Sequence, residues 1–145
     1  MFEVQEIPEG STERVADAML ALRPRWGTAS ALVNVIDTRL RPVGYRLAGV
    51  FRDDEKSAVA VAGFREVTAL AWGHYLYVDD VSTLPAERGA GHADRLMTWL
   101  GGEGRRLGCE SLHLDSGVDL DRAPAHRLYM RHKLRISAHH FERDL

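Results

Sequence analysis

The sequence predicts one α/β (α+β) domain spanning residues 1–145. Three observations predict it. Runs of β-forming residues follow one another through the middle of the chain, at Tyr45–Phe51, Ala58–Phe64 and His74–Thr83. Directly after the last of these, a proline and the tetrapeptide Arg88-Gly89-Ala90-Gly91 open an amphipathic helical pattern. No internal repeat, low-complexity tract or linker divides the chain, and 145 residues can enclose one sizeable core.

Taken in order, FEVQEI alternates and reads as a first strand, broken by Pro8-Glu9-Gly10. Ser11 is placed to cap a helix in which Val15, Met19 and Leu22 recur at helical spacing, with Glu13 in its first turn. Pro24 and Gly27 interrupt it. A second helix covers Ala29–Leu40, with Leu32, Val33, Ile36 and Leu40 on one side, until Pro42 and Gly44. The runs at Tyr45–Phe51 and Ala58–Phe64 flank Asp53-Asp54-Glu55-Lys56, a polar turn, and read as a hairpin. His74–Thr83 is a further strand, ended by Pro85. Ala93, Leu96, Met97, Leu100 and Leu107 form one helical stripe, with Gly101-Gly102 as its weak point and Gly108 as its stop. Ser111–Asp115 reads as a strand, Gly117–Pro124 as a polar loop, Ala125–His132 as a short helix and Leu134–Phe141 as a last strand region.

Composition excludes several classes of function. The formal charge of −2 argues against a general nucleic-acid binder or an anionic-membrane binder. The single cysteine, Cys109, allows no intrachain disulfide and agrees with a reducing cytoplasm. MFEVQEIPEG lacks a basic segment followed by an apolar run, so no secretion signal is expected, and no apolar run is long enough to span a bilayer. Basic residues are almost all arginine, which suits fixed contacts with anions.

The informative order is strand, proline, Arg-Gly-Ala-Gly, helix. The first turn of a helix carries backbone N–H groups with no internal partner and a partial positive charge, and small residues let an anion reach them. A phosphate or pyrophosphate is the natural ligand, with Arg88 as a cation at the rim. The P-loop pattern is absent. The dinucleotide pattern would need a third glycine where Asp94 stands.

Arg88-Gly89-Ala90-Gly91-His92-Ala93 resembles the acyl-CoA loop of the GCN5-related N-acetyltransferases (GNAT), whose signature is Arg/Gln-x-x-Gly-x-Gly/Ala. YVDDVSTLP before it resembles the family's fourth strand. The helix and LGCESLHLDS after it resemble the third helix and fifth strand, and Ala125-His126-Arg127-Leu128-Tyr129 resembles the family's Ala-x-x-Phe-Tyr helix. The match runs from about Tyr77 to His140. It departs at Lys133-Leu134, where the family usually has Gly-Phe.

The resemblance implies a mixed, mostly antiparallel central sheet flanked by helices and splayed between its fourth and fifth strands. It implies acetyl-CoA, or another acyl-CoA, as cosubstrate, with its pyrophosphate on the amides of Gly89, Ala90, Gly91, His92 and Ala93. The pantetheine arm would pair with the backbone of Val81, Ser82 and Thr83. Tyr129 would protonate the leaving thiolate, a role that suits a phenol of pKa near 10. Family members are often dimers, and the final strand is then the expected exchange surface.

Transfer to an amine also needs a base. Asp79 and Asp80 are neighbours on one strand, so alternation lets only one face the site, and Asp79 is favoured. Asp115 and Ser116 open a loop and either orient substrate or satisfy turn backbone. His139 and His140 point to opposite sides of a strand, and His74, His113, His126 and His132 lack ligand-like spacing, so no metal is expected. His139 or His140 could assist proton removal. Arg127 and Arg131 share a helix face and bind either a CoA phosphate or water. Cys109 reads as a small core residue, and Trp26, Trp72 and Trp99 as packing residues. The expected function is acyl transfer to a primary amine. Its rivals are a non-catalytic acyl-CoA sensor or partner-binding module of the same fold, and a nucleotide-binding protein using the same helix mouth.

Overall fold

A computed structural model describes residues 1–145. Five strands form one sheet in chain order: β1 (Phe2–Glu6), β2 (Tyr45–Arg52), β3 (Ala60–Ala69), β4 (Gly73–Thr83) and β5 (Ser111–Leu114). The first four pair antiparallel; β4 and β5 pair parallel. A parallel pair needs a crossover, and α3 (His92–Leu107) supplies it. Helices α1 (Ala16–Leu22) and α2 (Ala29–Val35) cover one face of the sheet, while α3 and α4 (Ala123–Arg131) cover the other.

Alternation along the strands divides the core between these faces. Val50, Ala60, Ala62, Phe64, Leu76 and Val78 meet Leu96, Met97, Leu100, Leu128 and Tyr129 on the α3 side. Leu47, Phe51 and Val61 meet Val15, Met19, Leu32 and Ile36 on the α1 side. The strand reading therefore holds in outline, with β3 running on to Ala69. Gly101-Gly102 does not break α3. Each glycine costs about 1 kcal/mol in a helix interior, and the burial of Leu96, Met97 and Leu100 outweighs it.

Three expectations change. Ser11 occupies the cap position without a side-chain hydrogen bond; Thr12, fully buried, instead donates to Asp37 Oδ1 at 2.6 Å. The second helix passes into a π-turn at Ile36–Leu40. Leu134–Phe141 is not a strand. Leu134 packs on the core, and its N–H donates to the Tyr129 carbonyl at 3.0 Å, but no regular structure follows it. The sheet ends on one side at β5, which is four residues long. No helix is long and apolar enough to cross a membrane.

Candidate functional site

Pairing of β4 with β5 stops at Val78 opposite Leu114, while β4 runs on to Thr83. The strands part there, and a cleft of about 270 Å³ opens between them. Val81, Leu114, Ser116 and Gly117 line it, with Tyr129 entering from α4 and Arg23 from the end of α1.

The acids of β4 stand differently from the alternation rule. Gly63 faces Asp80 and Phe64 faces Val78, so Asp79 is an extra residue in β4, a β-bulge. Val78 and Val81 still point to the α3 side. Both Asp79 and Asp80 therefore point the other way, and both line the cleft. The expectation that only one of them could do so is corrected by that single inserted residue.

Each acid is held. Arg65 grips Asp79 with two parallel bonds of 2.9 Å. Asp80 accepts from Arg23 Nε at 2.8 Å and from the Tyr45 hydroxyl at 2.6 Å. Tyr45 reaches Asp80 across Gly63, where a Cβ would lie 1.7 Å from the hydroxyl oxygen. Burial, then the Asp80 carboxylate, push the Tyr45 phenol well above its ordinary range. Tyr77 donates to Asp115, and burial together with that carboxylate also raises its phenol. The cleft is thus lined by three carboxylates (Asp79, Asp80, Asp115) and two guanidinium groups (Arg23, Arg122), with Arg65 pairing Asp79 from outside the lining.

Tyr129 is 9% exposed. Burial raises its phenol, opposed by Arg122 and Arg23, so it stays protonated at neutral pH. Arg122 is a cleft residue that sequence reasoning missed, because it lies in what reads as a polar loop.

At the mouth of α3, Gly91 caps the helix in the left-handed region at φ 81°, and Gly89 shares that φ. The N–H groups of Gly89, Ala90, Gly91, His92, Ala93 and Asp94 have no acceptor within the chain. Arg88 is exposed and makes no ion pair. The His92 ring is buried edge-on against Phe2, with centroids 4.5 Å apart, so only its backbone N–H faces outward. Ser82 is likewise buried, opposite Val61.

A loop of free amides beside a parted parallel strand pair has the donors and the shape that suit a phosphate-bearing, extended ligand. A family model described as "Acetyltransferase (GNAT) family" matches residues 12–133. The chain belongs to the GNAT family. Among solved structures, this GNAT chain is similar to a Trypanosoma brucei acetyltransferase at 22% identity and TM-score 0.73, with all of both chains covered. It is similar to AAC(6')-Iy in complex with a CoA-containing bisubstrate analog at 14% identity and TM-score 0.79, over 100% of this chain and 99% of the other. A transcriptional regulator from Bacillus halodurans is similar at 19% identity and TM-score 0.74, with full coverage of both. At such identities these likenesses establish the GNAT fold. No curated protein sequence matches the chain.

Other candidates fall outside the cleft. Arg131 pairs with Asp94 at 3.2 Å, and Arg127 is exposed. His139 and His140 are exposed, with His140 3.8 Å from Asp115. Trp99 packs on Phe64, and Trp72 stacks on His113 at 4.0 Å. Trp26 is partly exposed under Arg25 rather than packed inside.

Proposed function

We propose that the chain is an acyl-CoA-dependent N-acyltransferase that transfers acetyl from acetyl-CoA to a primary amine by direct attack. The observation that carries this reading is the run of free amides from Gly89 to Ala93 beside the parted β4 and β5, with Tyr129 in the cleft between them. The CoA pyrophosphate would rest on those amides, and the pantetheine would extend along Val81, Ser82 and Thr83.

The acceptor nitrogen forms a bond to the thioester carbon as the C–S bond breaks. Backbone N–H near Val81 polarises the carbonyl oxygen. Asp79 receives the ammonium proton, directly or through water, and Tyr129 gives its proton to the leaving sulfur before regaining one from solvent. Arg65, on both oxygens of Asp79, fixes the carboxylate in place.

That grip also favours one alternative. An acid whose two oxygens are both engaged is a weak proton acceptor, and Lys133-Leu134 departs from the family's usual Gly-Phe. The alternative is a non-catalytic acyl-CoA-binding sensor or partner-binding module of the same fold. Calorimetric titration with acetyl-CoA, with ATP and NAD as controls, followed by CoA-release assays over an amine panel, separates these readings. Selective acetyl-CoA binding with turnover supports the enzyme. Binding without turnover on any amine supports the sensor. No acetyl-CoA binding by folded, CoA-free protein sinks both.

A further inference from the structure

A second side-chain cluster lies at the opposite end of α3, which as a 16-residue helix spans about 24 Å. There Glu66 of β3, His74 of β4 and Cys109, in the turn between α3 and β5, bring one ligating atom each within 4.8 Å of one another. His74 Nε2 lies 2.6 Å from Glu66 Oε2 and 3.7 Å from Cys109 Sγ. These residues are eight and 35 positions apart, which is why their spacing in the sequence signals nothing.

The geometry points to a binding site for one divalent transition-metal ion, zinc first, held by the Glu66 carboxylate, the His74 imidazole and the Cys109 thiolate. A tetrahedral ion with ordinary zinc–sulfur and zinc–nitrogen bonds separates thiolate from imidazole by about 3.6 Å, and imidazole from carboxylate by about 3.3 Å. The first separation is already present; for the second the exposed Glu66 must move away from the imidazole by less than 1 Å, while its carboxylate, within 4.8 Å of the sulfur, settles at about 3.6 Å from it. The mixed set of oxygen, nitrogen and sulfur suits a borderline ion rather than calcium or magnesium.

The surroundings favour a cation. The C-terminal end of α3 directs its carbonyls toward this corner. Glu110 Oε2 accepts the His74 N–H at 2.9 Å and so anchors the strand that carries the imidazole. The fourth position faces solvent and would hold water. On binding, the Cys109 S–H proton passes to solvent, a metal–sulfur bond forms, and the ion sheds water; nothing is oxidised or reduced. The ion would clip β3, β4 and the lead into β5 together, at the other end of α3 from the amide loop.

The test is titration of reduced, tag-free protein with Co²⁺ alone and then with Zn²⁺. The chain has one cysteine, so a thiolate-to-cobalt charge-transfer band can arise only at Cys109. The expected result is a band that saturates at one ion per chain, is displaced by Zn²⁺, and disappears in Cys109→Ser. Glu66→Gln and His74→Gln should each weaken Zn²⁺ binding by about tenfold or more. Glu66 is exposed, so its variant keeps the comparison interpretable if Cys109→Ser folds poorly. The proposal is overturned if the folded wild-type protein gives no charge-transfer band. It is equally overturned if the band and the Zn²⁺ affinity are unchanged in both Glu66→Gln and His74→Gln, which would mark a thiolate acting alone. Neither readout depends on acyl transfer.

Discussion

Tyr129 lines the cleft, and Gly63 leaves room for the Tyr45 ring that reaches Asp80. If Tyr129 is the proton donor, Tyr129→Phe should lower kcat by about 10²-fold and leave the KM for acetyl-CoA within about twofold, measured by steady-state CoA release. An unchanged kcat would mean that solvent protonates the sulfur. Gly63 matters through space rather than chemistry. Any Cβ there would meet the Tyr45 ring that reaches across it to Asp80. Gly63→Ala should cost about 1–3 kcal/mol by urea unfolding. In a Tyr45→Leu background the same change should cost under about 1 kcal/mol, because no ring then crosses the position. At this scale the amide loop and Tyr129 were legible, since a glycine-rich helix mouth and a helix tyrosine are local patterns. The grip of Arg65 on Asp79, the Tyr45–Asp80 bond and the place of Arg122 were not, because each joins residues that only the folded sheet brings together.

The elements are tied by an ion network as well as by the core. Arg46 of β2 bonds Glu6, the last residue of β1, at 2.7 Å, and Glu103 of α3 at 2.9 Å, while Arg106 closes on Glu103 from the next turn. Glu103 is only 9% exposed, and Arg106 and then Arg46 hold its carboxyl down to about 2. A carboxylate whose folded-state pKa lies below its ordinary value adds stability above that ordinary value. The contribution is therefore full above about pH 4.5 and is lost as pH falls toward 2. It is of the order of 2 kcal/mol once solvent screening at the exposed Arg106 is allowed for. Denaturant unfolding between pH 6 and 3 should show a steeper acid loss for the wild-type chain than for Glu103→Gln. Parallel curves would assign the acid loss to other carboxylates. The elements themselves were mostly legible, because two-residue and 3.6-residue periodicities announce strands and helices. The bulge at Asp79 was not, because an extra residue is invisible until its partner strand is known. The tail beyond Leu134 misled for the same reason: its composition suits a strand, but a strand exists only with a neighbour.

At the scale of the molecule, one sheet separates two cores, and the cleft passes through that sheet at its weakest seam. The one parallel pair in the sheet is also its shortest, four residues at an outer edge, and it cannot form until α3 has carried the chain back alongside β4. That has a consequence for how the chain breathes. The β4–β5 seam holds only four residue pairs at an open edge, so it should be released early under native conditions, ahead of the strands flanked on both sides. Amide hydrogen exchange in the Ser111–Leu114 segment should then be faster than in β3, which is flanked on both sides, and should respond little to denaturant. Equal protection across both would mean that the sheet opens only as a whole. If the seam does open alone, the wall of the cleft detaches as a small independent unit, and access to the cleft becomes a local unfolding equilibrium rather than a hinge.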